Sequence, residues 1–212
     1  MLKDHFTVIR EFFKEFHHTG TLIPSSPWAA EALAEPIKHP RTRPYNILEV
    51  GPGTGVVTKK LLKNLQENDR LYICEINPRL MKLLQASLVN NPDYQRHRQR
   101  IEFFEGPVQD MPEDQKFDVV VCAVPFLNLD RKTVEEIFDK FDRLSTDDAL
   151  MTYFEYIGLR SLSLALSSNG RKRRMQEIDL YFKQVFSERD IKRRRIWMNV
   201  LPINIYTLRL AA

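Results

Sequence analysis

Short apolar runs alternate with amphipathic segments along most of this chain of 212 residues. The runs have the length and composition of buried strands, and they predict strands at Asn46–Val50, Leu71–Glu75, Ile101–Phe104, Phe117–Ala123 and Ala149–Phe154. Between them, apolar residues recur at helical spacing, which predicts helices at 56–66, 78–90 and 131–144. This alternation favours an α/β fold in which helices cover both faces of a parallel sheet.

The two ends of the chain depart from this alternation. Near the start, the spacing predicts an amphipathic helix at 4–18, a turn at 23–27 and a short helix at 28–35. Near the end, the apolar segments 195–200 and 203–209 lie too close together to be joined by a crossover helix. They therefore predict an antiparallel hairpin.

The net charge of +4 is unevenly distributed. Residues 171–195 contain ten basic and four acidic side chains, which gives this stretch a net charge of +6. Such a stretch suits a phosphate-bearing surface, either nucleic acid or anionic lipid. A solvated helix is the alternative interpretation.

The composition argues against several classes of protein. Cys74 and Cys122 lie in separate apolar runs and give no disulfide framework. The five histidines show no metal-ligand spacing, so no metal is expected. No run approaches the roughly 18 apolar residues of a membrane span, and the first residues lack the apolar core of a signal peptide. We therefore expect a cytoplasmic location.

A glycine-rich turn, Gly51-Pro52-Gly53-Thr54-Gly55, follows the first predicted strand. Glycines there let the backbone pass close to a ligand. A dinucleotide fingerprint requires a glycine three residues after Gly53, where this chain has Val56, and no lysine stands at a phosphate-binding position. The turn therefore suits the carboxylate of a ligand without phosphates, such as the amino-acid end of S-adenosylmethionine, unless it is simply a tight turn.

Further polar positions follow the neighbouring strands. Glu75 ends the second strand 24 residues after Gly51, where an acidic side chain can accept hydrogen bonds from both ribose hydroxyls. Ile76 beside it can cover an adenine ring. After the third strand, Gln109 or Asp110 can meet the adenine amino group, although Asp110 is equally suited to capping a turn. Because the carboxyl ends of parallel strands share one edge, these elements together predict an S-adenosylmethionine site.

This combination resembles the class I S-adenosylmethionine-dependent methyltransferases. Glu49 and the three glycines of the turn match the first motif of that class, Glu75 the second, and Gln109-Asp110 the third. The resemblance implies a Rossmann-like, seven-stranded, mostly parallel sheet with an antiparallel last strand. It also implies S-adenosylmethionine as the cofactor, held by Glu49, Gly51, Gly53, Gly55, Glu75, Ile76, Val108, Gln109, Asp110 and Ala123.

Within this class, the segments Thr19–Ser26, Val124–Asn128 and Ile196–Pro202 resemble bacterial phospholipid N-methyltransferases. Those enzymes methylate phosphatidylethanolamine, and related ones act on ornithine lipids. Leu201-Pro202 departs from their paired prolines, which leaves the head group open. Ribosomal RNA adenine dimethyltransferases share the glycine turn and the acidic strand tip, but Ala123 stands in place of their asparagine, and we expect no helical RNA-binding domain after the catalytic one.

The expected chemistry is methyl transfer from a sulfonium to an amine, in which positioning supplies much of the acceleration. We expect a carbonyl of Val124 or Pro125 to accept a hydrogen of the amine. We expect the ring of Phe126 or Tyr153 to line the pocket around the methyl group. Packing in the hydrophobic core is the alternative role for both rings.

The predicted helix 4–18 carries phenylalanines on one side and charges on the other, as an interfacial membrane helix does. Capping of the sheet domain is the alternative role for this helix. The residues expected to contact membrane or substrate are Phe12, Phe13, Phe16, Ser25, Ser26 and Asn199.

The sequence therefore predicts two parts. An amphipathic helix and a cofactor-covering segment occupy 1–40, and a Rossmann-like domain with a basic helical insertion near 158–195 occupies 41–212. The predicted function is N-methylation of an aminolipid by a cytoplasmic, peripherally membrane-associated enzyme, with an anionic membrane surface and the lipid as partners. The alternatives are a ribosomal RNA adenine N6-methyltransferase, with nucleic acid as its partner, and a non-catalytic S-adenosylmethionine-binding module.

Overall fold

The computed structural model describes residues 26–126, 129–157, 169–199 and 201–210. The predicted helix 4–18, with Phe12, Phe13 and Phe16, and the neighbouring Ser25 lie outside the described residues.

The described residues form one seven-stranded sheet in the order β3-β2-β1-β4-β5-β7-β6. Strands β1 to β5 run parallel, and β7 is antiparallel to both of its neighbours. This topology confirms the predicted α/β, Rossmann-like sheet with an antiparallel last strand. The strands are β1 Asn46–Val50, β2 Arg70–Glu75, β3 Ile101–Glu105, β4 Phe117–Cys122, β5 Ser145–Tyr156, β6 Ile191–Ile196 and β7 Ile203–Arg209.

Six α-helices lie within the described residues, and none of these is long and apolar enough to span a membrane. They are α1 Pro27–Leu33, α2 Val56–Asn64, α3 Pro78–Leu88, α4 Pro92–His97, α5 Arg131–Leu144 and α6 Asn169–Glu188, with short 3-10 turns at Glu35–Ile37, Arg98–Arg100 and Val108–Asp110. Helix α4 has no apolar stripe, so the hydrophobic pattern does not predict it. Its capping signal is nevertheless present, because the Asn91 side chain accepts a hydrogen bond from the Tyr94 N–H and Pro92 opens the helix.

The strand order separates the helices onto two faces of the sheet. Helices α1, α2 and α3 cover the first face, where Leu61 packs in one core with Ile47. Helices α5 and α6 cover the second face, where Phe138 and Phe182 belong to a separate core. The crossovers that leave the neighbouring strands β1 and β4 therefore take opposite faces, which opens a crevice at the carboxyl ends of these strands, the usual ligand position in open α/β sheets.

Helix α1 belongs to the same core as the sheet. Ser26 caps its start by accepting a hydrogen bond from the Ala29 N–H at 3.2 Å, and the apolar side of the helix is fully buried. At its end, the Leu33 carbonyl accepts a 2.8 Å hydrogen bond from the buried Thr152 hydroxyl of β5. The described part of the 1–40 segment thus packs directly onto the strands.

The first strand of the terminal hairpin differs in position from the sequence prediction. The pattern predicts 195–200, whereas β6 is Ile191–Ile196 and pairs with β7 from Ile191 opposite Leu208 to Ile196 opposite Ile203. Lys192–Arg195 are all exposed, which an edge strand tolerates because charged side chains suit a sheet edge. The second half of the basic stretch is therefore an edge strand and not part of a helical insertion, whereas its first half lies on α6.

Candidate active site

The glycine turn after β1 adopts a conformation that favours glycine. The φ angles of Gly51, Gly53 and Gly55 are 73°, 53° and 79°, in the left-handed region that side chains with a Cβ rarely enter. A Cβ at Gly51 would also lie 3.2 Å from Cγ2 of Val124 in the loop after β4. The turn and that loop are therefore in close contact, and the turn leaves backbone N–H groups at the start of α2.

The Glu75 carboxylate joins the first two predicted cofactor elements. Glu75 ends β2 and is only 4% exposed. Its Oε2 accepts a hydrogen bond from the Gly53 N–H at 3.3 Å, and its Oε1 accepts one from the Asn77 N–H at 2.9 Å. A carboxylate has about four acceptor positions, so Glu75 retains capacity for two hydroxyl donors of a ribose.

Backbone hydrogen bonds bring the strand ends together at what we call the carboxyl edge of the sheet, where β1 to β5 end. The Gly51 N–H donates to the Cys74 carbonyl, and the Ala123 N–H donates to the Val50 carbonyl, both at 2.9 Å. The Gly106 N–H donates to the Glu75 carbonyl at 3.0 Å. These bonds fix the loops after four neighbouring strands in one cluster.

The third predicted segment, Val108–Asp110, forms a 3-10 turn at this edge. Val108 is buried, Gln109 is half-buried and Asp110 is exposed. The Asp110 N–H donates to the Pro107 carbonyl at 3.0 Å, which closes the turn. Ile76, at the tip of β2, is an exposed apolar side chain, so it is accessible to a ligand there.

Glu49 is a fully buried carboxylate on β1, one residue before Val50. Neither of its oxygens has a hydrogen-bond partner among the described residues, and the same holds for the nearby hydroxyl of Thr58 on α2. Burial raises the pKa of Glu49 to about 8; the polar Thr58 hydroxyl close to the carboxylate offsets part of this rise, and the charge of Glu75 adds to it. An unpartnered buried acid fits a cationic ligand group, and the ammonium of S-adenosylmethionine is such a group.

The loop after β4 places the predicted catalytic residues beside an aromatic cluster. The Val124 carbonyl accepts a hydrogen bond from the Phe126 N–H at 3.0 Å. Val124 and Pro125 are both half-buried. Phe126 and Tyr153 are both buried, with ring centroids 5.8 Å apart. Tyr153 stacks on Tyr206 of β7 at 5.1 Å. The structure therefore brings these residues together within the second core.

Ser26 and Asn199, predicted near the substrate, meet directly. The Ser26 N–H donates to Asn199 Oδ1 at 2.8 Å, across 173 residues of sequence. Asn199 Nδ2 donates to the Leu201 carbonyl at 2.9 Å. The hairpin turn lies at the carboxyl edge, because Ile203 pairs with Tyr156 at the end of β5.

A polar group that the sequence pattern does not predict lies on the second face near the same edge. The Tyr206 hydroxyl donates to Glu155 Oε2 at 3.3 Å, and Asn204 Nδ2 donates to that hydroxyl at 3.5 Å. Burial raises the pKa of Tyr206, and the Glu155 charge contributes. The sequence contains one indication of this group, since Glu155 and Asn204 are polar residues inside strands that are otherwise largely apolar. In the structure the two residues are paired across β5 and β7.

The chain is similar in sequence to known methyltransferases. The family described as "Methyltransferase domain" matches residues 47–148. The ornithine lipid N-methyltransferase of Singulisphaera acidiphila is 26% identical over 143 residues, covering 65% of this chain and 70% of that protein. The tRNA1(Val) (adenine(37)-N6)-methyltransferase of Actinobacillus pleuropneumoniae is 31% identical over 97 residues, covering 46% of this chain but only 37% of that protein.

A solved structure shows the same fold. The O-methyltransferase from Bacillus cereus, in complex with SAH, has a TM-score of 0.65 at 15% identity and covers 96% of this chain and 90% of that chain. With the glycine turn, the family match and this fold, the protein is an S-adenosylmethionine-dependent methyltransferase with a class I, Rossmann-like domain. S-adenosylmethionine is its cofactor.

Proposed function

We propose that this enzyme transfers the methyl group of S-adenosylmethionine to the head-group amine of an aminolipid, phosphatidylethanolamine or ornithine lipid. It acts at the cytoplasmic surface of an anionic membrane. Phe12, Phe13 and Phe16, in the segment whose sequence predicts a helix at 4–18, serve as a peripheral anchor. The non-catalytic binding module is not proposed, because the protein is a methyltransferase.

The hydrogen bond between Ser26 and Asn199 carries this proposal. Thr19–Ser26 and Ile196–Pro202 are two of the three segments that resemble the phospholipid N-methyltransferases. Where they are described, their contact point lies at the carboxyl edge, the edge that holds the glycine turn and Glu75. The third such segment, at Val124–Phe126, lies against Gly51 at that same edge. The described parts of these three segments thus lie at one edge of the sheet, which supports the proposal.

The extent of similarity supports the same substrate class. The ornithine lipid relative aligns over about two thirds of both chains. The tRNA adenine relative aligns over less than half of either chain. A short alignment within a fold that serves many reactions is compatible with many acceptors.

Different residues at this edge bind the cofactor and orient the acceptor amine. Glu75 accepts the ribose hydroxyls and Glu49 faces the ammonium of the cofactor, which supplies the methyl group from its sulfonium. In-line transfer depends on the angle and distance of the acceptor amine. The Val124 carbonyl has a second lone pair beyond its bond to Phe126, and it accepts one hydrogen of the neutral amine.

The direct test is to follow labelled methyl groups from S-adenosylmethionine. The full chain is incubated with vesicles that contain phosphatidylethanolamine or ornithine lipid, with phosphatidylcholine vesicles as a substrate-free control, and separately with ribosomal RNA. We expect label in the lipid extract of the aminolipid samples, and thin-layer mobility identifies the head group and the number of methyls. A Gly53→Val variant, which blocks the close backbone approach, serves as the cofactor-binding control. Label confined to RNA would overturn the proposal.

The second candidate is an adenine N6-methyltransferase acting on RNA. The observation that favours it is the exposed basic row Lys192–Arg195 on β6, which suits a phosphate backbone as well as an anionic bilayer. The RNA arm of the labelling experiment decides between the two.

A further inference from the structure

Three large apolar side chains are exposed around the terminal hairpin turn. Trp28 is 52% exposed, Trp197 64% and Met198 57%. Large aromatic side chains bury extensive apolar area when they pack, and these two are the only tryptophans of the chain. A group of exposed apolar side chains marks a contact surface.

These side chains lie at one place in the fold. Trp28 is two residues from Ser26 and Trp197 is two residues from Asn199, and those two residues are hydrogen-bonded at 2.8 Å. The turn that holds Trp197 and Met198 follows β6 at the carboxyl edge of the sheet. The apolar group is therefore on the side of the molecule where the cofactor elements and the acceptor loop are found.

Basic side chains adjoin this apolar group. Lys192–Arg195 are exposed along the edge strand that leads into the turn, and because side chains alternate along a strand they flank this edge on both faces of the sheet. The Arg195 guanidinium lies 5.8 Å from the centroid of the Trp197 ring, within reach of a cation–π contact. Arg194 approaches Glu35 at 3.9 Å, and such an exposed ion pair is weak. We call Trp28, Trp197, Met198 and Lys192–Arg195 together the hairpin surface.

The chemistry of the hairpin surface distinguishes between a bilayer and a nucleic acid. Tryptophan is enriched at the head-group level of membranes, and neighbouring cations are attracted to anionic lipids. RNA could stack on the tryptophans and pair with the cations, but the exposed Met198 offers neither a ring nor a strong polar atom to a base. An apolar side chain beside two tryptophans and a basic row fits an anionic bilayer better.

We propose that the hairpin surface docks onto an anionic lipid bilayer, with the tryptophans and Met198 in the interface and the basic row on the phosphates. Docking in this way turns the carboxyl edge of the sheet towards the lipid head groups. The inference rests on the proposed aminolipid substrate, because that substrate must reach the carboxyl edge from the bilayer. It is also distinct from the anchor proposed for the N-terminal helix.

The two tryptophans provide the measurement. In the full chain, Trp28→Phe leaves Trp197 as the single reporter, and Trp197→Phe leaves Trp28. We expect both variants to show a blue-shifted emission with phosphatidylcholine–phosphatidylglycerol vesicles, quenching by brominated lipid, and little response to phosphatidylcholine alone. Binding that leaves both tryptophans unquenched would overturn the proposal, and so would an emission change with RNA but not with vesicles.

A variant pair tests the energetic contribution. Trp197→Ser combined with Met198→Ser should weaken vesicle affinity by at least about tenfold. Leu83→Ser is the matched control, since Leu83 is also exposed, at 58%, but lies on α3, and it should bind as the wild type does. Equal binding by the double variant and the control would contradict docking through this surface.

The labelling readout separates this inference from the proposed function. If the double variant methylates detergent-dispersed aminolipid at the wild-type rate but vesicle lipid slowly, both proposals stand. Quenching of the tryptophans without any label in lipid would sustain docking and refute the aminolipid substrate. Label in vesicle lipid at the wild-type rate from the double variant would refute docking and leave the substrate assignment intact.

Discussion

The Gly53 N–H donates a 3.3 Å hydrogen bond to Glu75 Oε2, so the glycine turn after β1 and the acidic tip of β2 form one unit. Glu75 thereby orders the turn and presents its remaining lone pairs at the carboxyl edge. The two motifs therefore depend on each other, and a change in the carboxylate affects both.

Glu75→Ala should weaken S-adenosylmethionine binding by about 1–3 kcal/mol, because charge-assisted hydrogen bonds are lost. Calorimetric titration measures the change. Glu105→Ala is the matched control, since Glu105 is an exposed carboxylate opposite Glu75 in the register with β3. Equal affinities for the two variants would show that Glu75 does not contact the cofactor.

Glu49 gives a prediction about pH. The pKa of Glu49 is about 8 in the folded protein against an ordinary value of 4.5, because burial disfavours the charge. The folded state thus binds this proton more tightly than the unfolded chain does. The stability due to the neutral carboxyl is complete below about pH 4.5 and is lost as the pH rises towards 8.

Glu49→Gln should therefore unfold like the wild type near pH 4 and be more stable than the wild type near pH 9. Urea denaturation at each pH gives the free energy of unfolding of both proteins. The difference between variant and wild type isolates Glu49, because the other titrating groups are the same in both. The variant should also bind S-adenosylmethionine more weakly, because it cannot offer a negative charge to the ammonium. A stability difference that does not change with pH would contradict the assigned pKa.

The aromatic core behind the acceptor loop yields a stability prediction. Phe182 is buried, and its ring lies 5.7 Å from Phe126 and 5.6 Å from Tyr153. Phe182→Ala should lower the free energy of unfolding by about 3–5 kcal/mol. Leu180→Ala, on the same helix but 61% exposed, should change it by less than about 0.5 kcal/mol. Similar losses in both would mean that α6 does not pack as described.

Local patterns predicted most of the fold and the cofactor elements. The strand ends, the glycine turn and Glu75 are readable because each depends on a few adjacent residues. Helix α4 was missed because its six residues carry no apolar stripe. The predicted position of strand β6 was wrong because this edge strand carries four exposed cations in place of alternating apolar residues.

Contacts between distant residues were beyond the reach of the sequence. The Ser26–Asn199 bond joins positions 173 residues apart, and no periodicity reports such a pair. The same holds for Glu49, whose place in the first motif is visible in the sequence but whose missing partners and raised pKa depend on the packing of α2 over β1.

Asn199 tests whether the hairpin turn serves the lipid acceptor. Its side chain accepts from the Ser26 N–H and donates to the Leu201 carbonyl, so Asn199→Leu removes two hydrogen bonds and leaves a backbone donor and an acceptor unpaired. The expected loss of stability is about 1–3 kcal/mol. Asn199→Asp keeps the acceptor for Ser26 and should lose less.

Steady-state kinetics then locate the effect on the reaction. If the turn positions the lipid, Asn199→Leu raises the KM for aminolipid in vesicles while the Kd for S-adenosylmethionine stays at the wild-type value, because Glu75 and the glycine turn are untouched. Asn199→Asp should have a lipid KM between the values of the wild type and Asn199→Leu, because it retains one of the two hydrogen bonds. A parallel loss of cofactor affinity in Asn199→Leu would place Asn199 on the cofactor side of the site, and an unchanged lipid KM would remove the hairpin turn from substrate recognition.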